Sequence, residues 1–248
     1  PVNACWLTFD DGYKDHYRYV LPELLKRNLQ GAFFPPRVAV KESKMLNVNS
    51  IHHILSCANN IQILTNKLNE ACLSYGISKD KLISYYKKLG VPNRFDNADT
   101  IYFKRMLQYV LPEDIRNSIT SSLFKEYVGI SDSEFSNTLY MNCDEVRHLV
   151  NCGMYVGSHG SMHYWLDKIS VEKQKYDIEE SLSFLEEIGA PTKQWIMCYP
   201  YGSYNDNTLS LLRDLGAVVG ITTEARKAII SKDNPFMLPR MDTNDFPK

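Results

Sequence analysis

The chain has 248 residues, a net charge of −1, and is 44% hydrophobic and 12% aromatic, the balance of a globular protein with apolar material for one large core or two small ones. Nothing in it is basic enough to call for a nucleic-acid partner, and no apolar run approaches the ~20 residues that span a bilayer. The six cysteines (Cys5, Cys57, Cys72, Cys143, Cys152, Cys198) show no CxxC spacing and read as reduced, buried thiols, which favours a cytoplasmic setting; a chain that starts at Pro1 leaves a trimmed leader open, and with it a periplasmic or secreted one.

The first forty residues have the form of a βαβ unit. "NACWLTF" (Asn3 to Phe9) reads as a buried strand, "YRYVLPELLKRN" as a helix in which Pro22 lies early or makes a kink, and "GAFFPP" (Gly31 to Pro36) as a second strand. From 41 to 140 the segments "NVNSIHHILSCANNIQILTNKLNEACLSYG", "KDKLISYYKKLG", "ADTIYFKRMLQYVLP" and "EDIRNSITSSLFKEYVG" carry apolar residues at helical spacing. This stretch is expected to be a helical insertion. Alternation of strand and helix returns after Tyr140. Asn142 and Glu145 form a capping-box pair that opens the helix "CDEVRHLVN", and Gly153 ends it. Then come the strand and loop "MYVGSHGSMHYWL", a long helix from Ser170 to near Ile188, the strand "QWIMCYPYG", the helix "NTLSLLRDLG", the strand "AVVGITT" and a last extended piece, "FMLPRMD". The alternation implies parallel strands with crossover helices, hence one α/β domain with core 1–40 and 141–248 and the insertion 41–140.

In a parallel α/β array the strand ends after each apolar run lie on one face, where such folds place active sites. Three polar groups of residues fall there: Asp10 and Asp11 in "LTFDDGYKDHY", the HxxxH pair His159 and His163, and the loop "CYPYGSY". Asp-Asp-Gly is also ordinary turn chemistry, and a loop imidazole is commonly just solvated. Consecutive strand residues point to opposite faces, however, so the two carboxylates can serve different partners. Two imidazoles and a carboxylate form a donor set for Zn²⁺ and similar ions, and their joint occurrence points to a metal site.

"TFDDGY", "GSHGSMHYWL" and "YPYGSYN", in this order, resemble the polysaccharide deacetylases of the NodB homology type (carbohydrate esterase family 4) over 1–40 and 141–248. The resemblance implies a distorted (β/α) barrel of seven strands, here with the large helical insertion, and removal of an acetyl group from an acetylated sugar or glycan. It implies a divalent metal cofactor, with Zn²⁺ placed first and Ni²⁺, Co²⁺, Mn²⁺ and Fe²⁺ as alternatives. Asp11, His159 and His163 correspond to metal ligands and Asp10 to the general base. The backbone N–H of Tyr201, preset by Pro200, corresponds to an oxyanion donor. Pro200, Tyr201 and Tyr204 then line the substrate, the tyrosine rings offering faces for a sugar; the plainer reading of Tyr204 is a surface aromatic in a turn.

The pattern departs from the family at three points. An arginine often found two residues before the loop proline is replaced by Cys198, the histidine often supplied by a late motif is missing from "FMLPRMDTND", and Gly160 follows the first histidine where serine or threonine is commonest. The sequence is closer to the branch with a "YPYG" loop and a last strand ending "LPR", in which Arg240 is expected to give its guanidinium to Asp10, against a surface salt bridge as the alternative. Candidates for the general acid are His16, one helical turn after the aspartates, and His53, beside His52 in the insertion; "VNSIHHIL" is expected near the catalytic mouth. His148 reads as structural. The expected activity is a metal-dependent N-deacetylase acting on a cell-surface glycan or its precursor; the alternatives are an O-acetyl sugar esterase with the same centre and a carbohydrate-binding homologue with weakened catalysis.

Overall fold

The computed structural model describes residues 4–93 and 95–246; Asn3, the start of the expected first strand, lies outside the described residues. The chain runs through β1 (Leu7–Asp10), a π-helical turn (His16–Val20), α1 (Leu21–Lys26), β2 (Gly31–Phe34) and α2 (Arg37–Lys41). The π turn has a cause in the sequence. Pro22 has no N–H and its ring crowds the carbonyl four residues back, so the turn before it widens instead of closing as an α-helix.

Among the described residues six α-helices follow: α3 (Asn47–Cys57), α4 (Ile61–Ser74), α5 (Lys79–Leu89), α6 (Ala98–Arg105), α7 (Glu113–Val128) and α8 (Asp132–Leu139), with a second π turn at Met106–Val110. Then come α9 (Cys143–Asn151), β3 (Tyr155–Val156), α10 (Val171–Glu187), β4 (Trp195–Cys198), α11 (Asp206–Asp214) and β5 (Ala217–Ile221). The Asn142 and Glu145 side chains make the reciprocal capping box at α9, and Gly153 and Gly189 take positive φ after α9 and α10, where a left-handed residue closes a helix.

The chain divides into two compact units, Pro1–Lys44 with Ser136–Lys248, and Met45–Phe135. The second unit is helical and has its own core, which includes Ile51, Ile54, Leu64, Leu68, Tyr102, Phe103, Met106 and Phe124. Side-chain caps from Asn60, Ser78 and Asn97 start α4, α5 and α6, each satisfying an amide that has no partner inside its helix.

In the first unit all strand pairs are parallel. β1 pairs with β2 and β2 with β3; Ser158 bridges Met197 of β4, β4 pairs with β5, and Ile221 of β5 bridges Leu238. Among the described residues, five strands and the extended segment at Leu238 therefore stand side by side with helices between them, an α/β arrangement of the (β/α) barrel type; the resemblance implies seven strands. Strand β2 is buried on both faces: Ala32 and Phe34 pack with Cys198 and Ile221 inside, while Phe33 packs outward with residues of α1, α9 and α10. This is why "GAFF" reads as a continuous apolar run rather than an alternation. Gly157 lets the array continue past β3, because a Cβ there would meet Phe34 at 2.6 Å and the Ile196 carbonyl at 2.9 Å.

All six cysteines are free thiols, but only Cys72 and Cys198 are buried; Cys143 and Cys152 are half-buried, and Cys5 and Cys57 are exposed. The expectation of six buried thiols is thus corrected, since an apolar neighbourhood in sequence does not decide which face of an element a side chain takes. No helix among the described residues is long and apolar enough to cross a membrane.

Candidate active site

The parallel register brings the carboxyl ends of β1, β3 and β4 together, and with them the three polar groups of residues. Asp10 is the last residue of β1. Asp11 then turns into the left-handed region at φ 68°, which swings its carboxylate away from that of Asp10. Asp11 Oδ1 lies 3.4 Å from His159 Nε2 and 3.3 Å from His163 Nε2. The two imidazoles are 3% and 8% exposed. His159 Nδ1 is 2.6 Å from the Cys198 carbonyl, to which it donates a proton, so Nε2 is the nitrogen aimed at the centre of the site.

One ligand atom from each of Asp11, His159 and His163 fits within a 4.8 Å cluster, and a carboxylate with two imidazole nitrogens is the donor set expected for a catalytic divalent ion. Burial opposes ionisation of Asp11, but hydrogen bonds from His159 and His163 outweigh it and hold the carboxyl well below its ordinary range. Burial lowers His163 below its usual value, favouring the neutral ring that binds cations. Burial also opposes charge on His159, but Cys198 and Asp11 outweigh it and raise that ring well above its usual value, so a bound ion would displace its Nε2 proton. Asp10, His159 and Cys198 form a second cluster of similar size, but it is the poorer donor set. Burial first, and then Asp10, raise the Cys198 thiol, which stays protonated with Sγ 3.5 Å from Asp10 Oδ1, and Asp10 is already engaged by a cation.

That cation is Arg240. Its Nη1 and Nη2 donate to Asp10 Oδ1 and Oδ2 at 2.8 and 2.6 Å, and Nη1 also reaches Thr8 Oγ1 at 3.2 Å. The fork closes across the barrel because Ile221 bridges Leu238, which sets Arg240 beside β1, 230 positions from its partner in sequence. Burial raises Asp10, yet His159 and the Arg240 guanidinium bring it below its ordinary value. The carboxylate is therefore ionised, oriented and off the Asp11 cluster.

The loop after β4 forms a short 3₁₀ turn, Pro200–Gly202, in which Tyr201 takes φ 60°. Among the described residues, three of the six non-glycine residues with positive φ are Asp11, His163 and Tyr201, so left-handed backbone gathers at this site, as strained conformations do where geometry is constrained. Tyr201 stacks on Trp165 (centroids 4.6 Å apart, 17° between planes) and meets His163 edge-on at 4.7 Å. Tyr204 instead tilts against the buried Tyr199 at 4.8 Å, with its ring partly buried in the core beside β4.

The general-acid candidates separate. His16 packs against Phe9, Tyr13 and Phe33, and burial lowers its pKa although Asp11 and Asp10 pull it up; a charged imidazole there is scarce at neutral pH. His53 lies in the helical unit, 4.5 Å edge-on to Phe135 and 6.3 Å from Phe124, also with a pKa lowered by burial. His148 meets Tyr17 edge-on. Sequence reasoning gave no part to Trp165 or to Asp177 of α10; the first stands inside the quoted "HYWL" motif, whereas the second has no local signal beyond a charged residue on a buried helix face.

Residues 119–220 match the family described as polysaccharide deacetylase, a span that contains both histidines and the "YPYG" loop and starts after the two aspartates. No curated protein sequence matches the chain. Among solved structures, the deacetylase PplD of Streptococcus pyogenes in complex with acetate is similar at 16% identity and a TM-score of 0.52, over 97% of this chain and 66% of the other. A de-N-acetylase from Aggregatibacter actinomycetemcomitans is similar at 14% identity and a TM-score of 0.51, over 97% of this chain and 70% of the other. At such identities the likeness is one of fold, and the chain spans 66% of the PplD structure, just under two thirds. The structure is an α/β barrel that shares its fold with those two solved structures and carries a carboxylate and two imidazoles at its strand ends. In sequence the chain resembles the polysaccharide deacetylase family.

Proposed function

We propose that the chain is a divalent-metal-dependent hydrolase that removes the acetyl group of an N-acetylated sugar in a cell-surface glycan or its precursor. The observation that carries this reading is the convergence of His159 Nε2 and His163 Nε2 on one oxygen of Asp11, at 3.4 and 3.3 Å, beside an Asp10 clamped by Arg240. Asp11, His159 and His163 would hold the ion, with Zn²⁺ favoured by the donor set. When bound, such an ion supplies Lewis acidity toward a carbonyl and toward water.

The remaining steps fall to the chain's own groups. Asp10 accepts the proton of the attacking water, which needs an ionised carboxylate held off the ion. Arg240 keeps it in that state and in one orientation. The Tyr201 amide, in the left-handed turn that follows Pro200, would donate to the oxyanion that develops on the attacked carbonyl oxygen. Trp165 backs the Tyr201 ring, giving a flat apolar wall suited to the sugar or the acetyl methyl.

A second reading, an O-acetyl esterase, is favoured by one feature: His16 is packed among aromatic rings and the late segment around Arg240 has no histidine. An alcohol leaves more readily than an amine without a proton donor. Ion analysis of the purified protein with acetate release from a panel of N- and O-acetylated sugars tests both. Release from N-acetyl sugars supports the first reading and release from O-acetyl sugars alone the second; one bound ion with no release from any sugar would leave a carbohydrate-binding homologue.

A further inference from the structure

Helix α10 buries a polar stripe where an α/β crossover helix ordinarily buries apolar side chains. Gln174, Asp177 and Ser181 are each 1% exposed and, at i, i+3 and i+7, share one face. Buried polar groups of this kind are costly unless bonded, and here the bonds go to one place in particular. Asp177 Oδ2 accepts the Ser161 amide at 3.1 Å and Oδ1 the Met162 amide at 2.8 Å. Ser181 Oγ is 2.6 Å from Ser158 Oγ, which accepts the Gly160 amide at 3.2 Å. Gln174 ties the helix to the Ile169 carbonyl and to Thr208. From the other side, Arg37 Nε donates to Ser161 Oγ at 2.8 Å and the Val38 amide to the Ser161 carbonyl at 3.0 Å.

Gly160 explains why the carboxylate can come so near. It takes φ +69°, and a Cβ on it would lie 2.6 Å from Asp177 Oδ2. Gly160 and Asp177 thus occupy one space: the glycine that departs from the usual serine or threonine leaves room for the carboxylate that grips the next two amides. Burial pushes the Asp177 carboxyl up to about 6, against the Met162 and Ser161 amides and the positive Lys173 and Arg37.

We propose that Asp177 is a positioning residue which, through Gly160 and the Ser161 and Met162 amides, sets the separation and aim of the His159 and His163 imidazoles. The proposal rests on the reading of those histidines as metal ligands. It predicts a coupling between two residues that touch no ion and no substrate.

The test uses Asp177→Ala, Asp177→Asn, Gly160→Ser and the double variant Asp177→Ala/Gly160→Ser. Three quantities are measured: Co²⁺ affinity by competition titration, the visible absorption bands of the Co²⁺ protein, and the melting temperature of the ion-free protein. Asp177→Ala and Gly160→Ser are each expected to weaken Co²⁺ binding by about 10–100-fold, the range for residues that orient ligands, with altered visible bands. The double variant should bind more tightly than the two single losses multiplied together would give, because the serine enters space the carboxylate has left and only the left-handed backbone at 160 still resists it. If Asp177→Ala does not fold, Asp177→Asn carries the test, with one acceptor kept in the same volume and an affinity between the extremes. A variant with a lower melting temperature but parental Co²⁺ affinity and bands would overturn the positioning role and leave Asp177 a structural residue. A parent that binds no Co²⁺ would overturn the metal reading along with it.

Discussion

Removing the Arg240 guanidinium separates orientation of the base from its charge. Arg240→Met deletes two charge-assisted bonds to Asp10, at 2.8 and 2.6 Å, and the bond to Thr8, whereas Arg240→Lys keeps the charge but cannot make the fork. The pair is only partly sheltered, with side chains 22% and 27% exposed, so the loss on Arg240→Met should fall below the 3–5 kcal/mol of a fully buried broken pair, at about 2–3 kcal/mol. The base responds as well. Burial raises the Asp10 carboxyl and is outweighed by His159 and Arg240; without the guanidinium the balance moves upward. Because the working base is the ionised form, the acid limb of kcat/KM should move to higher pH in Arg240→Met and by less in Arg240→Lys. Stability follows the same sign: a carboxyl held below its ordinary value stabilises fully above ~pH 4 and loses that contribution as pH falls through the folded value. Arg240→Met should therefore flatten the acid side of the stability profile. Initial rates of acetate release across pH 4–8, with urea unfolding at the same pH values, measure both. An Arg240→Met protein with the parental rate and an unmoved acid limb would refute the assignment of Asp10 as a base held by Arg240.

Asp10→Asn should keep its bound ion while turnover falls by about 10²–10⁴-fold, and Asp11→Asn should lose the ion, because its carboxylate is one of three donors; ion content by elemental analysis separates them, and the opposite result would exchange the two roles. Chelation should lower the melting temperature and re-addition restore it, by about 2.7 kcal/mol when free ion stands at a hundred times its dissociation constant; a melting curve indifferent to chelator and ion would count against the centre. Trp165→Ala removes the surface on which Tyr201 stacks, worth ~0.5–1.5 kcal/mol beyond area, and is expected to reduce kcat/KM with ion content unchanged; parental kinetics would remove Trp165 from the site.

Much of the architecture is legible in the amino-acid sequence because its signals are local. The Asn142 and Glu145 pair and Gly153 mark both ends of α9, since a cap satisfies amides one turn away. Apolar runs locate β2, β4 and β5, and polar groups placed just after such runs must share a face in any parallel array, which is why Asp10, Asp11, His159 and His163 can be grouped before their distances are known. The rest depended on lateral order and backbone conformation, which no short window contains. The Arg240 fork needs Leu238 beside β5 and the barrel curved back to β1. The left-handed turns at Asp11, His163 and Tyr201 are conformations that few non-glycine residues adopt, the tyrosine least of the three, so no short window locates them. Asp177 looks like any charged helix residue until α10 packs under the histidine loop, and Trp165 finds Tyr201 only when the loops after β3 and β4 stand side by side. Periodicity and caps select the elements; which side chains meet across strand ends is decided by tertiary packing, because those contacts join residues distant in the chain.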